Sequence, residues 1–309
     1  MKKLFILVIV SFGISACTTK TTQESTSEHL DEEVEEVSLG PTVPEDDIGS
    51  YVPSDEFSVD SLGRKIKFSP GNLQYRASTE TWRFAENQYD ILGEYNAEIS
   101  AFNEGWIDLF GWGTGDNPTI SNLDFNYYEN FTDWGENIIS NGEKNVTWRT
   151  LTRDEWLYLF CNRENAVYRF GFGCVNDVNG IIILPDKWHT PEGLVFTSSI
   201  ESGVSWDDFS CKNGNAYGFA DYNFFDVEDW ESMEANGAIF LPAAGYRYDK
   251  YILKIGETGN YWSSTPSEEY QSKGAYTVYF NSQSLSIGRK SLYHQRHDGL
   301  SVRLVRDIK

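Results

Sequence analysis

Apolar and polar residues alternate with period two near the start of the folded region. Lys65-Ile66-Lys67-Phe68 has the pattern of a half-exposed strand, and Ser69-Pro70-Gly71-Asn72 that of a turn. Residues 73–75 and 82–84 alternate again around Ala77-Ser78-Thr79-Glu80, which predicts a hairpin and, with 65–68, an opening β-meander. The period then changes. Trp156, Leu159 and Phe160 recur at i, i+3 and i+4, so residues 152–160 predict a helix with one apolar face. Thr152 and Glu155 have capping-box spacing, and Asp154 and Glu155 suit the positive end of that helix. Glu155 is therefore a cap before it is an acid. Residues 181–185 and 238–242 read as apolar strands, each stopped by a proline, Pro185 and Pro242. The acidic stretch 226–234 predicts a short helix. Finally, two strand-like segments, 276–280 and 300–305, frame polar loops at 265–271 and 289–298.

Upstream of residue 56 the pattern is different. Lys2 and Lys3 precede an apolar run, Leu4 to Val10, and Ile14-Ser15-Ala16-Cys17 follows with the form of a bacterial lipobox. Residues 1–16 read as a signal peptide, with cleavage before Cys17 and diacylation of its thiol. Residues 17–55 read as an acidic, disordered tether. They are rich in Thr, Ser and Glu, carry the run Asp31-Glu32-Glu33-Val34-Glu35-Glu36, and are punctuated by Pro41, Pro44 and Pro53. No other apolar run reaches the roughly 20 residues a spanning helix needs. Residues 56–309 are left as one folded domain.

Composition sharpens this picture in two ways. The chain has 10 Trp, 18 Tyr, 19 Phe and 26 Gly, which favours a strand- and loop-rich domain over a helical bundle. Its formal net charge of -22 repels phosphates, which argues against a nucleic-acid partner. Besides Cys17 there are Cys161, Cys174 and Cys211, which permit at most one intrachain disulfide; buried free thiols are the favoured reading.

Candidate chemistry is sparse. Gly111, Gly113 and Gly115 lack both the dinucleotide spacing and a Walker lysine, so they do not make a phosphate loop. Trp106, Trp112, Tyr127, Tyr128 and Trp134 have two open readings, sugar-stacking platform or loop-packing core, with the core favoured. His294 and His297 have a spacing that would bind metal on a helix, but Gln295, Arg296 and Gly299 suggest a loop. No catalytic set, cofactor site or metal site is predicted. The candidate ligand-binding residues are Tyr270, Tyr293, His294, Arg296 and His297 in the C-terminal loops. Tyrosine offers contact area with few rotatable bonds, and histidine adapts its hydrogen bonding.

Leu151-Thr152-Arg153-Asp154-Glu155-Trp156-Leu157-Tyr158 resembles a helix of the formylglycine-generating, sulfatase-modifying family. Gly259-Asn260-Tyr261-Trp262-Ser263-Ser264 and Gly299-Leu300-Ser301-Val302-Arg303-Leu304-Val305 resemble the Fibrobacter-type major paralogous domain and related Bacteroidetes surface lipoproteins. The resemblance implies an α+β, C-type-lectin-like fold: a twisted antiparallel sheet, one or two helices and long irregular loops. It does not carry over the redox activity, because no cysteine follows Cys211, and Arg163 lies two residues further from Thr152 than the family pattern places its arginine. The polar loops are also similar to variable loops of some bacterial C-type-lectin-like proteins.

The expectation is a lipid-anchored recognition module on the bacterial outer membrane, binding an extracellular glycan or protein. A structural envelope or fimbria-associated subunit is the alternative, and an enzyme the weaker one. Cys17→Ser tests the anchor: the variant should take up no radiolabelled fatty acid and should leave the membrane fraction. A wild-type chain without label overturns it.

Overall fold

The strand expected at Lys65–Phe68 forms with Ile66 and Phe68 buried and its two lysines half-exposed. In the computed structural model it lies in a four-stranded sheet ordered Phe57–Ser58, Lys65–Phe68, Leu304–Asp307, Arg149–Thr150. Its inner neighbour therefore comes from the far end of the domain. The hairpin Leu73–Arg76 with Thr81–Phe84 also forms, but in a different, three-stranded sheet with Trp106–Ile107. The expected meander is thus broken at the turn. Ser69 N donates to Leu304 O at 2.8 Å and Leu73 N to Val302 O at 2.9 Å, so the C-terminal segment takes the main-chain partners a meander would have used.

The structure describes residues 52–199, 204–207, 210–213, 218–267, 274–287 and 294–308, all within the unit Gly40–Lys309. The signal peptide, Cys17 and the tether up to residue 51 lie outside them, as do Tyr270 and Tyr293.

The domain is α+β, with several small, mostly antiparallel sheets in place of one large sheet. Strands Val178–Ile183 and Ile239–Pro242, expected from their apolar runs, pair with each other from Ile183↔Ile239 to Gly180↔Pro242. Phe170–Val175 flanks them, and a two-residue strand, Phe224–Phe225, joins its outer edge in parallel. The largest described sheet has five strands: Thr258–Pro266, Ala275–Asn281, Ser284–Ile287, Ser210–Asn213 and Val204–Asp207.

The predicted helix starts as expected. Thr152 accepts from Glu155 N, and Glu155 closes the box on Thr152 N at 2.8 Å. Buried Glu155 also receives a forked pair of bonds from Arg149, at 2.9 and 2.8 Å. The α-helix covers only Arg153–Leu157, and the chain widens into a π-turn over Tyr158–Asn162. The expected face survives the change: Trp156, Leu159 and Phe160 are all buried in one core cluster. The second helix, Val227–Ala235, is capped by Asp226 and buries Trp230 and Met233. Cys161 and Cys174 are free thiols, and burial pushes the Cys161 thiol up to about 12, which makes it unreactive. Cys211 pairs its main chain in a strand; its side chain lies outside the described residues.

One close approach sets the core of the five-stranded sheet. Gly259 lies directly across from Phe280, and a Cβ there would sit 1.9 Å from the Phe280 ring. The bare backbone lets the ring lie flat over the strand and stack on Tyr261 at 6.2 Å. Gly259→Ala should therefore destabilise the domain by about 3 kcal/mol, the upper range for overpacking. Urea unfolding measures this, and an unchanged midpoint would refute the close approach.

Candidate functional site

Three of the residues expected to contact ligand, His294, Arg296 and His297, are buried in the structure. The polar run reads as solvated loop, yet it folds inward because its donors and acceptors find main-chain partners. Gln295 N donates to Asp298 Oδ2 and Asp298 N to Gln295 O, both at 2.8 Å, which ties residues 295–298 into a turn. Arg296 then reaches across the fold. Its Nε donates to Gly274 O at 3.0 Å, and its Nη1 to Tyr128 O at 3.0 Å and Glu129 O at 3.4 Å. The guanidinium also lies over the Trp112 ring at 4.3 Å. Arg296 is thus a brace between three distant segments, and its described bonds go to carbonyls of the protein itself.

The two histidines flank one carboxylate. His294 Nδ1 is 3.3 Å from Asp298 Oδ2, and His297 Nε2 is 3.4 Å from Asp298 Oδ1. Neither lies in a helix, so the helical metal spacing does not apply. Among the described residues no group of three His, Cys, Asp or Glu is placed to hold a metal ion. Burial holds the His297 imidazole below its ordinary range; Asp298 opposes this and Arg247 reinforces it. Arg247 is fully buried, exchanges main-chain bonds with Gly299 in both directions at 2.8 Å, and donates from Nη1 to Asp249 O at 3.1 Å and Ser121 Oγ at 3.3 Å.

Above this base stands a short hairpin, Tyr246–Tyr248 with Tyr251–Leu253, turning through Asp249 at φ +54°. Tyr246 sets its ring edge against His294 at 4.7 Å, and Tyr248 packs on His297 at 5.9 Å. Tyr248 is paired across the hairpin with Tyr251, and directly opposed residues project to the same face. Both stay open to solvent, at 45% and 57%. On the adjoining loop Tyr128 packs against His297 at 6.4 Å while its neighbour Tyr127 is 58% exposed.

Sequence reasoning thus missed the accessible tyrosines of the hairpin. A signal was present: tyrosines at 246, 248 and 251 around the turn formers Asp249-Lys250. The aromatic group at 106–134 divides between its two readings. Trp112, Tyr128 and Trp134 are core, Trp106 is half-buried under the guanidinium groups of Arg76 and Arg83 at 4.4 and 3.8 Å, and Tyr127 faces solvent.

The hairpin, the 294–299 turn and the strands around them fall in one recognised segment. Residues 222–305 match the family described as Domain of unknown function (DUF8237). No curated protein and no solved structure matches the chain.

Arg296→Ala leaves carbonyls at residues 128, 129 and 274 without their donor. Its expected cost is about 3 kcal/mol, since each buried acceptor left unsatisfied costs on the order of 1 kcal/mol or more. Arg296→Lys should recover only part, because an ammonium cannot span the same fork. Equal stability of all three proteins in urea would show that the brace is idle.

Proposed function

We propose that this chain is a lipid-anchored bacterial surface protein, and that its domain is a C-type-lectin-like recognition module for an extracellular glycan or protein. The lipobox, the acidic tether and the resemblance to Bacteroidetes surface lipoproteins support the anchor and the outer-membrane location. The observation that carries the recognition reading is the exposed pair Tyr248 and Tyr251, standing on a hairpin whose underside is fixed by His294, His297 and Arg247. A rigid base lowers the entropy lost when the face is covered, and tyrosine supplies a wide contact with both apolar and hydrogen-bonding parts. In this reading His294, Arg296 and His297 shape the face from beneath, and Tyr248, Tyr251 and Tyr127 touch the ligand.

Screening the chain on glycan and extracellular-protein arrays tests the proposal. Any ligand found should lose about tenfold or more in affinity with Tyr248→Ala plus Tyr251→Ala, the scale expected of exposed aromatic anchors. The melting temperature of the double variant should stay near that of the parent, because both side chains are already exposed. Absence of any ligand on the arrays, or affinity indifferent to both substitutions, overturns the proposed face.

A further inference from the structure

The chain holds 47 acidic against 25 basic residues, so most cations have acidic neighbours within reach. Arg64, Arg149, Arg163 and Arg306 each pair with a carboxylate, and the buried Arg247 and Arg296 bond to main-chain carbonyls. Arg76 and Arg83 do neither. They stand together on the three-stranded sheet of Leu73–Arg76, Thr81–Phe84 and Trp106–Ile107. Its register sets Arg76 opposite both Thr81 and Trp106, and Arg83 opposite Gln74, so these five residues share one face. The other face sends Leu73, Tyr75, Trp82, Phe84 and Ile107 into the core.

Both guanidinium groups are held in place. They lie over the Trp106 ring at 4.4 and 3.8 Å, and Arg83 Nε donates to the buried Gln74 Oε1 at 2.8 Å. No hydrogen bond or ion pair among the described residues takes up the terminal nitrogens of either arginine, and both residues are half-buried, open to solvent on one side. A guanidinium stacked on an aromatic ring keeps its N–H donors for another partner and has little freedom left to lose when that partner binds. Burial and the adjacent Arg76 both lower the Arg83 pKa. Glu86 and Asp90 oppose this only from beyond ion-pair distance, and Asp90 is already bonded by Asn87 N at 2.9 Å. The two cations thus disfavour each other, and an anion beside them offsets that repulsion.

This face is selective about its anion. A nucleic acid or other long polyanion meets a chain of net charge -22 and is repelled. A single oxyanion on an otherwise neutral molecule largely avoids that repulsion and still receives charge-assisted hydrogen bonds from arginine. The half-buried Trp106 indole and the Thr81 hydroxyl flank Arg76 with apolar and hydrogen-bonding surface, which suits the C–H groups and hydroxyls of a sugar ring. We infer that Arg76 and Arg83, held on Trp106, bind the carboxylate of an acidic sugar. The site adds to the recognition reading and shares no residue with the tyrosine face.

The test is a saturation-transfer NMR titration of the methyl glycosides of glucuronic, galacturonic and N-acetylneuraminic acid, each beside its neutral carboxamide, using the full chain in a detergent without a sugar headgroup. At least one acidic glycoside should bind, and its carboxamide about tenfold more weakly. Arg76→Gln and Arg83→Gln should each weaken the acid by about tenfold, the scale of one hydrogen bond to a charged group. Arg83→Lys should recover only part, because an ammonium keeps the charge and loses the planar donors. If neither glutamine variant folds, the carboxamide comparison carries the test. Binding should be indifferent to Tyr248→Ala plus Tyr251→Ala, so this site and the tyrosine face can fail separately. The inference is overturned if no acidic glycoside binds, if the carboxamides bind equally well, or if binding ignores both arginine substitutions. It is also overturned if inorganic sulfate or a tetraglutamate peptide binds more tightly than every acidic glycoside.

Discussion

The domain depends on one stretch of main chain, residues 299–308. Gly299 exchanges bonds with Arg247, Leu300 with Phe110, and Ser301 with Asn260 and Trp262. Val302 and Leu304 then accept from Leu73 and Ser69, the Leu304–Asp307 strand pairs with Lys65–Phe68 and Arg149–Thr150, and Ile308 donates to Lys65. The small sheets of the domain meet through their side chains, as where Ile66, Ile181 and Val278 share one core cluster. This stretch adds main-chain continuity, because it presents one strand's worth of donors and acceptors to partners drawn from the whole chain. Its side chains do the same in the core: Leu300, Val302 and Leu304 join one hydrophobic cluster while Val305 joins another.

Such an interior admits charge only where each group is held by others. Arg163, whose burial pulls its pKa down to about 10, keeps its guanidinium on Asp186, Leu159 O and Arg169 O. Arg303, lowered for the same reason to about 10, sits on Gln88. Asp108 is pushed up to about 6 by burial, against the bonds it receives from Asn96 and Leu92 N. Removing one partner from such a group strands a desolvated charge, which is far more damaging than never having placed it there. The long irregular loops are consequently fixed from within by side chains, where strands would have used their ladders.

That division explains which parts were legible in the sequence. The capping box at Thr152–Glu155, the 73–84 hairpin and the two proline-stopped strands depend on neighbours a few residues away, so their letters suffice. Sheet membership depends on which distant segment arrives, and nothing local to Lys65–Phe68 announces Leu304–Asp307 as its partner. The widening of the helix after Leu157 is visible only in the backbone: Arg163 N bonds to Tyr158 O at 2.8 Å, a five-residue step that takes in one residue more than an α-turn. The candidate site misled for a related reason. His294-Gln295-Arg296-His297-Asp298 has the composition of a solvated loop, and only the carbonyls at 128, 129 and 274 turn it inward.

The stitching by residues 299–308 also has a temporal side. A ribosome that has reached Asp298 has made every partner of the clasp and none of the clasp itself. Until then the edges at Ser69, Leu73, Phe110 and Trp262 have no one to bond, and the nascent chain cannot settle into its final form. Clipping a few residues from this clasp would likewise act on the molecule as a whole, since the seam it removes is common to every sheet it touches.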